Sequence, residues 1–209
     1  MRPAKPPDIQ LSSFGSWDDV GKWFSALEKP QVKDTPEIRA KAEELTRGKT
    51  SDLEKLRAIY DYVSTRFRYI SISLGAGRYA PHSSAEVLAN QYGDCKDKHT
   101  LFAALLQAVG VKAYPALVSS TFQSDPSFAT PDLFDQVITA IPRGDSFLYL
   151  DTTPEVAPFG FLSAQVHDKF VLVIPDIGQA RLLKTSADSI FPSVQKFQID
   201  ASMDERYGS

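Results

Sequence analysis

The sequence is poor in the residues that most covalent and metal chemistry draws on. Cys95 is the one cysteine among 209 residues, and His82, His99 and His167 are the three histidines. A single cysteine excludes an internal disulfide, and these scattered ligands have no zinc spacing. Neither a metal nor a cofactor is expected. No apolar run approaches the ~18 residues of a membrane-spanning helix. Basic excess is also absent: 23 Lys and Arg stand against 26 Asp and Glu, for a net charge of −3. Without it there is little counterion release to drive nucleic-acid binding. Met1-Arg2-Pro3-Ala4-Lys5-Pro6-Pro7 has no apolar stretch behind its basic residues, so it reads as a proline-stiffened lead-in rather than a signal peptide.

What is present is an ordinary globular composition, 43% hydrophobic, 23% charged and 11% aromatic. The chain is long enough to bury its own core. Three amphipathic helices are expected first: Ser16 to Leu27 with the stripe Val20, Trp23, Phe24, Leu27; Thr35 to Arg47; and Ser51 to Phe67 with Leu53, Leu56, Ile59, Tyr60 and Val63 on one face. A strand-like stretch from Arg68 to Leu74 ends in Gly75-Ala76-Gly77, and His82 to Glu86 caps a short helix. A fifth helix follows Asp94 as N-cap and stops at Gly110. It is apolar on most sides, so it should be buried against a sheet. Strands are then expected at 111–119, 134–141, 147–151, 168–174 and 180–184, with a polar loop from Thr121 to Pro131. Helices before strands give an α+β class. The expected organisation is a lead-in at 1–15, one domain at 16–184, and an extension at 185–209 whose Val194–Asp200 segment alternates like the start of a following β domain.

Cys95 falls in the first turn of the buried helix. The free N–H groups and partial positive charge of a helix N-terminus favour a thiolate and can serve an oxyanion, which is what a cysteine nucleophile needs. Lys96 and Lys98 beside it read as solvent-facing charges, and Asp94 and Asp97 as partners of the helix dipole. A hairpin supplies the second clue. If Pro142-Arg143-Gly144-Asp145 is the turn and Ile141 pairs with Ser146, Gln136 falls directly opposite Asp151. Arg143-Gly144-Asp145 is turn chemistry rather than an adhesion motif.

Tyr92-Gly93-Asp94-Cys95-Lys96-Asp97-Lys98-His99-Thr100-Leu101 resembles the nucleophile motif of bacterial transglutaminase-like domains. Arg78 to Leu88 resembles the segment before it there, and Phe134-Asp135-Gln136-Val137-Ile138 and Tyr149-Leu150-Asp151-Thr152-Thr153 the two later motifs. Leu11 to Leu27 is similar to the segment that joins an N-terminal β domain to the transglutaminase core in large exported proteins. The resemblance spans roughly residues 10 to 183. It implies a papain-like α+β fold and a Cys-His-Asp triad for acyl transfer or amide hydrolysis. It further implies a peptide or protein amide substrate, neighbouring β domains in a longer parent, and a periplasmic or extracellular setting.

Cys95 and Asp151 match the implied nucleophile and orienter, but Gln136 stands where the family has its histidine. A glutamine does not titrate near neutrality and cannot take the thiol's proton. Three readings stay open. The domain is a silent binding module; or His99, four residues after Cys95, replaces the base; or Gln136 is an introduced change. Gln91 is a candidate oxyanion donor.

Overall fold

The computed structural model describes residues 11–71, 78–121 and 127–186. Residues 72–74 of the strand-like stretch, Gly75-Ala76-Gly77, most of the lead-in and extension, and the Val194–Asp200 pattern lie outside them, as does part of the loop from Thr121 to Pro131.

Five helices form where the sequence places its caps. Helix α1 is Trp17–Glu28, α2 Pro36–Thr46, α3 Asp52–Arg66, α4 Ser84–Asn90 and α5 Cys95–Ala108. Ser16, Thr35, Ser51, Ser83 and Asp94 each accept a backbone N–H of the first turn, and the last three close reciprocal capping boxes. The expected face of α3 holds except at Leu53, which lies in the first turn and is 46% exposed.

Helix α5 is the centre of the molecule. Leu101, Phe102, Leu105 and Leu106 are fully buried, and they pack with Ile38, Leu56, Ile59, Tyr60 and Val63 of the preceding helices. Each such side chain contributes about 1.5–3 kcal/mol of transfer free energy. That is why α5 has no polar face to present.

The strand-like stretch after α3 yields β1, Arg68–Tyr69, which pairs in parallel with β2, Tyr92–Gly93. The main sheet is antiparallel. Its strands are β3 (Tyr114–Val118), β4 (Gln136–Arg143), β5 (Ser146–Leu150), β6 (Phe170–Val173) and β7 (Arg181–Lys184), in the spatial order β5-β4-β3-β6-β7. One face carries Leu117, Val137 and Leu172 against Val20 and Phe24 of α1. The other carries Ala116, Val118, Ile138 and Ala140, covered by Val166 and Leu162.

The β4–β5 register differs from the expected one by two residues. Arg143 pairs with Ser146 and Ile141 with Leu148, so the turn is the two residues Gly144 and Asp145 rather than four. Gly144 has φ +58°, a conformation that two-residue hairpins require and glycine supplies cheaply. Pro142 therefore lies inside β4, opposite Phe147. It is tolerated because pairing with β3 ends at Ala140, so no neighbour on that side needs its missing N–H. A slip of two preserves the face on which every side chain lies.

Candidate active site

The motif around Cys95 is dense because nearly every residue in it holds backbone. A Cβ on Gly93 would stand 2.5 Å from the Asp97 Cβ, so only glycine fits before the cap. Asp94 Oδ1 accepts the N–H groups of Lys96 (3.1 Å) and Asp97 (3.2 Å). Asp97 returns the bond by accepting the Asp94 N–H at 3.1 Å, and its other oxygen accepts the His82 N–H at 2.7 Å. The lysines are not solvent-facing, contrary to expectation. Lys96 is buried in an ion pair with Asp94, and the fully buried Lys98 donates to the carbonyls of Ser64 (3.2 Å) and Phe67 (2.8 Å) at the end of α3. Burial pulls the Lys98 amine down to about 8.

This capping changes the expected chemistry of Cys95. Asp94 consumes the N–H groups of Lys96 and Asp97, so these two are not offered to a thiolate or an oxyanion. The thiol is pushed up to about 12, first by burial and then by the Asp94 carboxylate. The Val137 backbone and Lys96 oppose the shift without reversing it. At neutral pH Cys95 is a neutral thiol, not the activated thiolate that a helix N-terminus by itself suggests.

Gln136 and Asp151 meet despite the altered register. Gln136 Nε2 donates to Asp151 Oδ2 at 2.7 Å and to Thr153 Oγ1 at 3.4 Å. Thr153 donates its N–H (2.9 Å) and hydroxyl (2.6 Å) to the other Asp151 oxygen. The observed pairing makes Gln136 and Asp151 diagonal neighbours rather than opposed ones, and a diagonal is still within reach of a glutamine. Asp151 is buried, 1% exposed, and burial raises its carboxyl above the usual range against the pull of Thr153, Gln136 and Lys98. Tyr60, buried in α3, donates its hydroxyl to the Asp151 carbonyl at 2.9 Å and so fixes the backbone there.

Cys95 and Gln136 line one cavity of about 380 Å³. Its walls are aromatic, with Trp23 and Tyr79 edge to face at 5.0 Å, and Phe134 beyond them. Tyr79 and Arg78 both bind Asp132, which ties the segment before α4 to the segment before β4 across the cavity. Sequence reading assigned no role to Trp23 beyond the apolar stripe, nor any to Tyr79.

The two other candidates lie elsewhere. Gln91 is exposed, in the left-handed region at φ 60°, and does not line the cavity. His99 is 1% exposed. Its Nδ1 meets Thr139 Oγ1 at 2.7 Å, and its Nε2 faces Glu28 Oε1 at 3.7 Å. Burial lowers the imidazole to about 3, so it stays neutral. Both ring nitrogens are thus directed at β4 and α1 rather than at the thiol. Among the described residues no cluster of three ligands is placed to hold a metal.

Glu28 is itself a buried group that sequence reading passed over, although it continues the four-residue spacing of Val20 and Phe24. Burial, reinforced by Asp176, pushes its carboxyl up to about 7. The folded state therefore holds this proton between the ordinary value of 4.5 and about 7, and stability is lost as pH rises through that window. Glu28→Gln is expected to unfold at the parent's temperature below pH 4 and to be more stable by about 2–3 kcal/mol above pH 8. Thermal unfolding across pH checks this, and a pH-independent difference between the two proteins contradicts it.

Comparison with known proteins bears on the fold. The family model of the transglutaminase-like superfamily matches residues 39–128. No curated protein matches the chain. A candidate protease from Parabacteroides distasonis has a similar structure, with a TM-score of 0.65 at 16% identity over 91% of this chain and 36% of that one. A candidate cysteine protease from Cytophaga hutchinsonii aligns with a TM-score of 0.46 at 18% identity over 83% of this chain and 59% of that one. The chain spans about a third of the length of the first and under two thirds of the second. Helices first, an antiparallel sheet after, and a cysteine at the N-terminus of the central helix make an α+β fold similar to that of the first of these proteins, and residues 39–128 are similar to the transglutaminase-like superfamily.

Proposed function

We propose that this domain is a cysteine acyl-transfer scaffold that binds peptide or protein amides in the Cys95 cleft without turning them over at neutral pH. The observation that carries the reading is the group bonded to Asp151. It is the Gln136 amide, which orients as an imidazole would and accepts no proton. Cys95 keeps the nucleophile's place, Asp151 the orienter's, and position 136 the base's. The aromatic walls Trp23, Tyr79 and Phe134 give an extended ligand apolar surface beside the thiol.

The same reading places the domain in a longer exported parent, periplasmic or extracellular, between β domains. The resemblance of Leu11–Leu27 to an inter-domain joint supports that setting.

The test is amine incorporation and peptide hydrolysis with a glutamine-containing peptide, run beside Cys95→Ser. The expected result is saturable peptide binding, with turnover no greater than that of the serine variant. Turnover that disappears in Cys95→Ser overturns the proposal in favour of a working enzyme with another base.

A further inference from the structure

A second cavity, of about 550 Å³, opens farther along α5. Its apolar walls are Val32, Ala103, Val111 and Pro115, with Gln107 and Lys112 beside them, and it shares α1, α5 and β3 but no residue with the Cys95 cleft. At its floor lies Glu28, which is 4% exposed. Behind it, His99 Nε2 is the one buried side-chain atom among the described residues without a hydrogen-bond partner. Buried polar groups in folded proteins are nearly always bonded, so an unpartnered imidazole nitrogen 3.7 Å from a buried carboxyl at the base of an open cavity calls for an explanation.

We infer that this cavity is a binding site for a small organic amine, with the ammonium group on Glu28 and the alkyl body against Val32, Ala103, Val111 and Pro115. The charge follows from the floor: a largely buried carboxyl, once ionised, is stabilised by a cation and repels an anion. The protein's nearest cation does not fill that role. Lys29 is turned to Asp176, donating to its carbonyl at 3.0 Å and standing 3.9 Å from its carboxylate. A metal ion is disfavoured because the described residues offer no third ligand. The apolar walls select an ammonium with a hydrocarbon arm over a bare ion. His99, held by Thr139 on its other nitrogen, limits how the carboxyl can turn.

Binding depends on pH through Glu28. The groups facing it are His99 from α5, Asp176, and Lys29, with Lys112 on the rim. His99 stays neutral throughout, because its value is lowered to about 3. The Glu28 carboxyl releases its proton near pH 7, so the site is cation-ready above that point. Affinity is then expected to rise about tenfold between pH 6 and pH 8.

The experiment is isothermal titration of the protein with n-butylammonium at both pH values, with n-butanol as the uncharged control. Saturable binding is expected for the amine and not for the alcohol. It should be lost in Glu28→Gln, whose folding thermal unfolding verifies, and weakened in Ala103→Val, which narrows the cavity without touching the carboxyl. Binding that survives Glu28→Gln, binding of the alcohol as tight as that of the amine, or no binding at either pH overturns the inference.

Discussion

Replacing Gln136 by histidine is expected to raise the alkylation rate of Cys95 at pH 7 about a hundredfold. The site already holds the partner that such an imidazole needs. Asp151 is buried, backbone-fixed by Tyr60, and supplies an oxygen 2.7 Å from the group at position 136. An imidazole there gives one ring nitrogen to Asp151 and leaves the other free to take the thiol proton. The S–H bond breaks, the proton moves to the ring, and a thiolate–imidazolium pair forms whose charges stabilise each other. Thiols beside such a cation fall to about 3.5–7.5, against the value of about 12 here. The gain in thiolate fraction exceeds the gain in rate, because nucleophilicity drops with basicity at a Brønsted slope of about 0.4–0.5. Gln136→Asn has no base and should leave the rate where it is. Adding Asp151→Asn to Gln136→His should remove most of the gain. Iodoacetamide kinetics with mass detection of the Cys95 peptide measures all three. An unchanged rate in Gln136→His shows that the cleft has diverged at more than this one residue.

The same position shows how far sequence carries. Cys95, Gln136 and Asp151 are found from the spacing of the motifs and from their resemblance to a family, and the folded chain brings Gln136 and Asp151 together as expected. The expected register is off by two, because Pro142, a typical turn residue, is a strand residue here. The error does no harm, since side chains alternate with a period of two and the slip is even. Helix starts are legible for a different reason: a cap is a contact over two or three residues, so Ser16, Thr35, Ser51, Ser83 and Asp94 announce themselves locally.

Electrostatic state is what the sequence conceals. Cys95 sits at a helix N-terminus, and on that ground alone a thiolate is expected. Whether it forms depends on which acceptor takes the N–H groups and on how much water remains, and both are set by packing. Lys98 and Glu28 make the same point. Neither pattern of neighbours in the sequence reveals that one is sealed under α3 and the other under α1. A lysine whose ammonium finds two carbonyls, and a glutamate buried beside a histidine, look alike in a list of residues.

In the unaltered protein Cys95 is expected to alkylate about a hundredfold more slowly than free cysteine at pH 7. A thiol at about 12 has a thiolate fraction roughly three orders of magnitude below that of an ordinary cysteine, and its greater intrinsic nucleophilicity recovers about half of that deficit on a logarithmic scale. The rate should climb with pH through pH 10 and show no plateau, and the ultraviolet absorbance of the thiolate should follow the same curve. A plateau below pH 9 excludes the assignment of a neutral thiol. Burial is the larger cause of the shift and the Asp94 carboxylate the next. Asp94→Asn isolates the second cause, because asparagine keeps the cap on α5 while removing the charge beside the sulfur. It should move the curve to lower pH without creating a plateau near neutrality, whereas Gln136→His should create one. The two variants thus separate a thiol held back by its surroundings from a thiol that lacks a base.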